Sequence, residues 1–361
     1  MPSGVIADKF GRDKIVKLGQ ILVSGGFLIQ AFGSSFVPFL VGQAVLMIGV
    51  SLVSGADEAL FFDKLQFEKT TDWRKLITRG SQVALIGSTV ALMIGGRLYE
   101  INPRIPWILT GFSFISSVLL IWSIKETHRA RAKQKLFIEL KEQLIDIKSG
   151  FTEFGKQKLF LYVPIILTVQ GLFYTVDGGL LRLVLLDRFR FSPFLGSISI
   201  SVSSLITVGI LSYVHKYGEK MSEKRVIALI SVLAGASLLI SVFDIGLWGF
   251  FVILTLYIGE QVLQPFMSEI LNYRTEKEQR ATVLSIYSFM RTLPYVVLAP
   301  IIGHLNTQNQ LEYFLITWTM LIGIAIIFYL LLKKRDAQIS LIKANVDFNE
   351  KRVPEISAQE I

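Results

Sequence analysis

The chain has 361 residues, of which 52% are hydrophobic and only 18% are charged, a composition that excludes an ordinary soluble domain. The absence of cysteine excludes disulfides, thiolate metal sites and a cysteine nucleophile, and the three histidines have no metal-ligand spacing. The net charge of +9 comes from basic residues that lie between apolar runs and not on one domain face. This distribution argues against nucleic-acid binding and indicates charges that orient a membrane protein.

Ten long apolar segments follow one another along the chain, each able to cross about 30 Å of hydrocarbon as a helix. The alternating strands of a β-barrel are not seen. The pattern predicts an all-α polytopic membrane protein with about ten complete transmembrane helices. The segments lie near 15–36, 38–61, 79–98, 106–124, 159–186, 194–214, 226–243, 247–270, 282–304 and 312–332.

The basic residues predict the orientation of these helices. Thirty-one of the 37 Lys and Arg residues lie in alternate connections and in the tail after 332. Because positive residues accumulate on the cytoplasmic side, we expect the first turn and the C-terminus to be cytoplasmic. The expected location is the plasma membrane, with the lipid bilayer as a partner.

The longest connection predicts how the chain divides. Its apolar residues recur at helical spacing from Leu136 to Phe154, with Lys and Glu between them. This amphipathic helix is either a regulated, lipid-binding or calmodulin-like element or a plain linker under the membrane face. The predicted parts are an incomplete N-terminal bundle (1–124), the linker (125–158), a C-terminal six-helix bundle (159–332) and a polar tail (333–361).

Two short patterns recur in corresponding cytoplasmic loops with nearly the same offset, 207 and 206 residues, which suggests two duplicated halves. The same offset predicts partners for the helices near 159 and 194 that would precede Met1. We therefore expect a six-plus-six protein with about fifty further residues at its start, omitted by a late start codon or by true truncation. The patterns are Asp8-Lys9-Phe10-Gly11 with His215-Lys216-Tyr217-Gly218, and Asp63 with Arg74 beside Glu269 with Arg280.

Three motifs resemble those of the major facilitator superfamily. The first turn is similar to the loop signature between the second and third helices of that family, and two others are similar to the end of its fourth helix and the start of its eleventh. The resemblance implies two six-helix bundles that alternate between outward-open and inward-open states around a central cavity, with the first and most of the second helix missing here. The motifs are Gly4-x-x-x-Asp8-x-x-Gly11-Arg12-x-Lys14, Ser54 to Asp63, and Arg280 to Ser285.

The resemblance also implies that the first turn controls cytoplasmic gating. Asp8 would dock on the start of the eleventh helix, near Arg280, because helix N-termini favour negative charge. Gly4 would allow close helix approach and Gly11 a tight turn. Arg12 and Lys14 would pair with acidic groups, whereas Asp13 departs from the family's usual basic residue. The alternative is an orienting loop with ordinary helix capping.

A second candidate group lies at the end of the segment 38–61. Adjacent carboxylates at Asp57 and Glu58 are costly in hydrocarbon unless they face water or a partner. With Asp63 they could relay between this helix and the first turn. The alternative is a cap in the headgroup region that pairs with Lys64 or Arg74.

The ionisable residues deepest in the apolar segments are the candidates for transport chemistry. Glu260 and Arg291 lie mid-segment, so they are expected to pair or to face a cavity, where Glu260 could carry a proton and Arg291 could bind an anionic group. The alternative is a static ion pair between helices. The candidate cavity residues are Glu260, Gln261, Gln264 and Arg291, with a second constellation of Gln170, Tyr174, Asp177 and Arg182.

These observations predict a secondary transporter of a small solute, with proton coupling left open, no cofactor, no metal and a monomeric state. The alternatives are a drug–proton exporter and a transporter-like membrane sensor. Drug export lacks two features that the family's exporters carry, because 42–54 contains no arginine and Ala91-Leu92 replaces a Gly-Pro pair. An enzyme is not expected, since the helices contain no nucleophile–base or metal set.

We predict that Asp8→Asn in the full-length protein reduces solute transport without preventing membrane insertion, because the substitution removes the charge that would hold the cytoplasmic gate. The measurement is solute uptake normalised to the amount of protein in the membrane. Unchanged uptake would contradict the gating role of Asp8.

Overall fold

In the computed structural model, the described residues are 11–54, 73–122, 154–155, 159–217, 222–275 and 279–357, with backbone alone at 73–78, 81, 85, 212–217, 281 and 335–357. Every regular element in these ranges is a helix, which confirms the predicted all-α fold. Most of the predicted linker, 125–158, lies outside the described residues.

The chain forms two compact units. The first comprises Met1–Asp146 together with Ser192–Ser201, and the second comprises Ile147–Phe191 together with Val202–Ile361. The short segment Ser192–Ser201 is therefore a part of the first unit that lies far along the chain from the rest of it.

Four long helices come from the first part of the chain. They are α1 (Arg12–Phe32), α2 (Phe36–Val53), α3 (Trp73–Ile101) and α4 (Arg104–Ile121). Helix α1 begins directly after Gly11, whose φ of 98° is one that residues with a side chain rarely adopt. Three residues join α1 to α2, so these two helices form an antiparallel hairpin.

Glycines bring α1 and α2 into contact along their length. A Cβ on Gly26 would lie 2.7 Å from the carbonyl oxygen of Gly42, and a Cβ on Gly49 would lie 2.6 Å from that of Gly19. Small residues at such crossings let helix backbones approach closely, which is the main source of packing energy in lipid.

Helix α4 packs on another face of the same region of α1. The Ser24 hydroxyl donates a 2.8 Å hydrogen bond to the carbonyl oxygen of Gly111. The Phe27 ring packs against Trp107 and Phe114, with ring centroids 5.8 and 5.7 Å apart. Small, hydroxyl and aromatic side chains together thus fix the two faces of α1.

The second unit contains most of the remaining helices. Its first helix, α5, contains a 3-10 turn at Leu159–Tyr162 and a π turn at Ile166–Gln170, and it ends before Gly178 and Gly179. Gly179 has a φ of 89°, so the predicted segment 159–186 is two helices and not one. The helices are α5 (Leu159–Asp177), α6 (Leu180–Arg188), α7 (Pro193–Tyr217, in the first unit up to Ser201), α8 (Glu223–Ile240), α9 (Gly249–Arg274), α10 (Arg280–Thr307) and α11 (Leu311–Ser357).

Nine helical segments among the described residues are long and apolar enough to cross a membrane. The tenth predicted segment, 226–243, corresponds to α8, whose first three residues, Glu223 to Arg225, are charged. Helix α11 extends the predicted segment 312–332 without a break to Ser357, through most of the predicted tail.

Arg188 joins three parts of the second unit. Its Nε donates a 2.8 Å hydrogen bond to the carbonyl oxygen of Ser241, and its guanidinium also donates to the carbonyl of Val242. Because the last carbonyls of a helix have no partner within it, Arg188 completes the end of α8. The Glu312 carboxylate at the start of α11 lies 3.8 Å away.

We predict that Gly26→Ala destabilises the first unit, whereas the neighbouring Gly25→Ala does not. The new methyl group at 26 would overlap Gly42 and Leu46, and such overpacking typically costs about 1–3 kcal/mol. Position 25 has nothing within 4 Å of a Cβ, so it is the matched control.

The measurement is the thermal unfolding midpoint of the two purified variants and the wild type in detergent. Equal midpoints for the two variants would contradict the close crossing of α1 and α2.

Candidate functional site

A buried ion pair joins α9 to α10 in the second unit. Arg291 Nη1 donates a 2.7 Å hydrogen bond to Glu260 Oε1. The exposed fraction is 6% for the Glu260 side chain and 17% for that of Arg291. The second carboxylate oxygen, Oε2, is buried and has no hydrogen-bond partner among the described residues. Glu260 therefore keeps one acceptor unused in an apolar environment.

Two tyrosines lie beside the ion pair: Tyr174 contacts Arg291, and Tyr295 contacts Tyr174. The Arg291 guanidinium lies over the Tyr174 ring of α5, 5.1 Å from the ring centroid, at a distance typical of cation–π attraction. Tyr295, one turn further along α10, meets Tyr174 edge to face at 5.8 Å. A carboxylate, a guanidinium cation and two tyrosine rings from three helices thus form one cluster.

Local sequence explains why these helices approach so closely. Gly171 of α5 has no side chain, and a Cβ there would lie 2.5 Å from the ring of Pro294. Gly259 receives the ring of Phe173 in the same way, at 2.4 Å. Because Gly259 precedes Glu260 and Pro294 follows Arg291 by three residues, these contacts determine where the charged pair lies.

Gln170 lies one turn before Tyr174, at the end of the π turn of α5. Its side chain is fully buried, and neither its amide oxygen nor its nitrogen has a partner among the described residues. The indole of Trp318 donates a 3.1 Å hydrogen bond to the nearby carbonyl of Thr168, within the same turn. Single π turns of this kind occur frequently at functional sites.

The other predicted cavity residues are placed around this cluster. Asp177 is exposed at the end of α5, and Arg182 follows the helix break with its Nε buried and unpartnered within the described part of the chain. Asp177 and Arg182 are both described in the structure, and no hydrogen bond joins them there. Gln261 and Gln264 are half-buried on α9, and the Gln264 carbonyl accepts a 3.4 Å bond from the Tyr287 hydroxyl.

The predicted gating residues are only partly described. Gly11 directly precedes α1, and Arg12 and Lys14 lie in the first turn of that helix. The Arg280 Nε donates a 3.3 Å hydrogen bond to the Thr275 carbonyl. The remaining ones, Gly4, Asp8, Asp57, Glu58, Asp63 and the side chain of Arg74, lie outside the described residues.

The geometry of the Glu260–Arg291 pair allows two states. With Glu260 ionised, Arg291 neutralises it, as a charge in hydrocarbon requires. A proton on Glu260 would leave Arg291 as a cation over the Tyr174 ring, able to accept a negative or electron-rich group. The cluster therefore places a carboxylate that can take up a proton directly beside a cation.

A second ionic cluster lies at the start of α8, and the sequence did not predict it. Glu223 Oε1 accepts hydrogen bonds from the Tyr162 hydroxyl at 2.5 Å, the Lys333 ammonium at 2.8 Å and the Tyr329 hydroxyl at 3.1 Å. Arg274 donates to Oε2 at 2.9 Å. We call these five residues the Glu223 cluster; they tie α8 to α5, α9 and α11.

The Glu223 cluster keeps its carboxyl group ionised. Glu223 is the first residue of α8 and precedes the apolar segment 226–243. Burial alone raises the pKa of Glu223, but hydrogen bonds from Lys333 and Tyr162 and the charge of Arg274 outweigh it and hold the pKa below its ordinary value of 4.5. Arg274 also lies over the Tyr162 ring, 5.3 Å from its centroid.

A family model for the Major Facilitator Superfamily matches residues 1–299 of the chain. The quinolone resistance protein NorA of Staphylococcus aureus (strain MSSA476) is 27% identical over 273 residues, which cover 73% of this chain and 65% of NorA. The class B tetracycline resistance protein of Escherichia coli is 20% identical over 286 residues, 78% of this chain and 68% of that protein. The chain thus matches less than two thirds of the length of NorA.

Solved transporter structures share the fold. A crystal structure of the peptide transporter POT in complex with sulfate superposes with a TM-score of 0.68 at 13% identity, over 94% of this chain and 83% of that one. A structure of the nucleoside transporter NupG gives 0.68 at 15% identity, over 92% and 86%. At these identities the likeness establishes the architecture alone.

We predict that Glu223→Gln destabilises the second unit by about 2 kcal/mol at pH 7, because hydrogen bonds to a charged group contribute roughly 1.5–3 kcal/mol and Glu223 is partly exposed. A carboxyl whose pKa is lowered by folding stabilises the protein above its unfolded pKa and loses that effect as the pH falls through the folded pKa. The difference between wild type and variant should therefore begin to shrink as the pH falls below about 4.5, and it should disappear only once the pH is below the lowered pKa of Glu223.

The measurement is the unfolding midpoint in detergent across pH 3–8 (roughly the carboxyl titration range). Glu269→Gln, an exposed carboxylate on α9, is the matched control and should have little effect. A loss of stability that is equal at all pH values would contradict the ionised state of Glu223.

Proposed function

The chain belongs to the Major Facilitator Superfamily, and from this premise we propose that it is a secondary active transporter that moves a small solute by alternating access and couples this movement to a proton on Glu260. The observation that carries the proposal is the buried Glu260–Arg291 pair with its unused carboxylate oxygen. The pair and the neighbouring rings of Tyr174 and Tyr295 bring an acid, a cation and two aromatic groups together, which supports a combined proton and solute site.

The coupling step follows from charge balance. Protonation of Glu260 removes the negative partner of Arg291, and a buried cation without a partner is costly. A solute that offers an acceptor group to Arg291 offsets that cost, so proton and solute bind with positive coupling. Release of the proton restores the Glu260–Arg291 pair and expels the solute. Both ligands thus act on one equilibrium.

For the solute we propose a drug-like aromatic molecule that crosses the membrane in the same direction as the proton, as the positive coupling of the two requires. The named roles of two relatives, resistance to quinolones and to tetracycline, support this class. The edge-to-face pair of Tyr174 and Tyr295 supports it as well, because tyrosine rings offer apolar area beside the Arg291 cation.

The test is transport of a fluorescent quinolone and of tetracycline into proteoliposomes, with and without a pH gradient of either direction. We expect a gradient to accelerate wild-type transport and Glu260→Gln to lose about ten-fold of that acceleration, the size of a typical coupling between two ligands. The Glu260→Gln variant should still exchange solute across the membrane without a gradient, because its neutral glutamine resembles the protonated form of Glu260.

Glu269→Gln is the matched control, since it removes an exposed carboxylate from the same helix, and it should transport like the wild type. If Glu260→Gln keeps its full dependence on pH, Glu260 is not the coupling residue. If no solute in the screen moves with a gradient, the proposal of proton-coupled transport of a drug-like molecule fails.

A further inference from the structure

Arg182 is the one half-buried arginine of the second unit that has no partner among the described residues. The other three, Arg188, Arg274 and Arg291, each donate to a backbone carbonyl or to a glutamate. The Arg182 Nε is buried, and no described group accepts a hydrogen bond from it. Because a half-buried cation without a partner is costly in an apolar bundle, a negative group from outside the described chain would stabilise this position.

Two described groups lie near enough to act electrostatically on Arg182 without a hydrogen bond or an ion pair to it. They are the Asp177 carboxylate at the end of α5 and the Tyr257 hydroxyl of α9. Asp177 is exposed, and the Tyr257 hydroxyl lies 3.5 Å from Ser204 Oγ. Neither group therefore satisfies the guanidinium, although both place polar atoms in its surroundings.

The break between α5 and α6 connects Arg182 to the tyrosine pair of the Glu260–Arg291 cluster. A Cβ on Gly178 would lie 3.3 Å from the Tyr295 ring, and a Cβ on Gly179 would lie 3.7 Å from Arg182 Nη2. The Tyr295 ring in turn meets Tyr174 edge to face at 5.8 Å. The tyrosine rings and Arg182 therefore flank the same two glycines, so one solute can pack on the rings and place an acidic group at Arg182.

We propose that Arg182 binds the carboxylate of the transported solute, which makes this solute an aromatic carboxylic acid. The inference rests on the proposed transport function and specifies its solute. A guanidinium and a carboxylate are planar groups that can form two parallel hydrogen bonds, so Arg182 can hold the acid in a fixed orientation. Arg291 is engaged by Glu260 when that residue is ionised, whereas Arg182 is available in either protonation state of Glu260.

The test is a calorimetric titration of the purified protein in neutral detergent at about pH 7, where carboxylic acids are ionised. The probes are nalidixic acid, a quinolone with a single carboxyl group and no basic amine, and its neutral carboxamide. We expect the wild type to bind the acid about ten-fold more tightly than the amide, because hydrogen bonds to charged groups are stronger than neutral ones.

Arg182→Gln should bind the acid and the amide equally, and Arg182→Lys should keep part of the preference because lysine retains the charge without the planar geometry. The matched control is Arg190→Gln, which removes an exposed arginine that pairs with Asp244 just beyond α6. This control should bind both probes like the wild type. The acid should also raise the unfolding midpoint of the wild type and the control more than that of Arg182→Gln.

The alternative role of Arg182 is a purely structural one, as the partner of Asp177. Unfolding of Asp177→Asn, Arg182→Gln and the double variant without ligand tests it, since the effects of independent residues on the free energy of unfolding add. We expect additive effects, and a clear coupling between the two residues would overturn the inference. If Arg182→Gln does not fold, the comparison of acid with amide in the wild type and in Arg182→Lys decides alone.

An anionic phospholipid presents the same kind of oxyanion to a guanidinium as a carboxylic acid does. We expect phosphatidylglycerol, added to the detergent, to leave the affinity for nalidixic acid unchanged. Competition between the two would assign Arg182 to the lipid and overturn the inference.

The outcomes separate the inference from the proposed function. No binding of the acid, equal binding of acid and amide by the wild type, or an unchanged preference in Arg182→Gln would overturn the role of Arg182. A preference that depends on Arg182, in a protein whose transport ignores the pH gradient, would support the inference and refute only the proton coupling. Gradient-driven transport of tetracycline without any preference for the acid would support the proposed function and overturn the inference.

Discussion

Charges in an apolar bundle must find their partners within the protein, and the Glu223 cluster is where the second unit meets this constraint most completely. One carboxylate accepts from two tyrosines, a lysine and an arginine that come from α5, α9 and α11. Each donor would be costly to bury alone. The donors of the three helices lie far apart in the sequence and meet at Glu223. The cluster thus joins four helices, while the Glu260–Arg291 pair retains a carboxylate oxygen without a hydrogen-bond partner among the described residues.

The two units reach stable packing by different means. In the first, glycines at 19, 26, 42 and 49 bring the backbones of α1 and α2 together, and a hydrogen bond from Gln30 to Gln43 joins the same two helices. In the second, glycines at 171 and 259 receive Pro294 and Phe173, and this close fit positions charged residues instead of only joining backbones. The second unit therefore carries the polar chemistry of the described residues, which agrees with the location proposed for the proton and solute site.

Much of this architecture could be predicted from the sequence, because apolar runs of the length of a membrane span have few alternatives. The family was predicted correctly from short loop motifs, and Glu260 and Arg291 stood out because charges at mid-helix are costly. The Glu223 cluster could not be predicted, since Tyr162, Arg274 and Lys333 lie near the ends of the predicted membrane segments, where such residues are ordinary. The break at Gly179 was missed because a positive φ has no periodic signal.

Helix α11 is unbroken from Leu311 to Ser357, and it contributes Tyr329 and Lys333 to the Glu223 cluster on the way. The 24 residues beyond Lys333 extend about 36 Å at the rise of an α-helix. If the helix tilts as a rigid rod, a tilt of about 10° at Lys333 would move the end of the helix by about 6 Å. A tilt of α11 at the ionic cluster would thereby become a larger displacement at Ser357, far from the cluster itself.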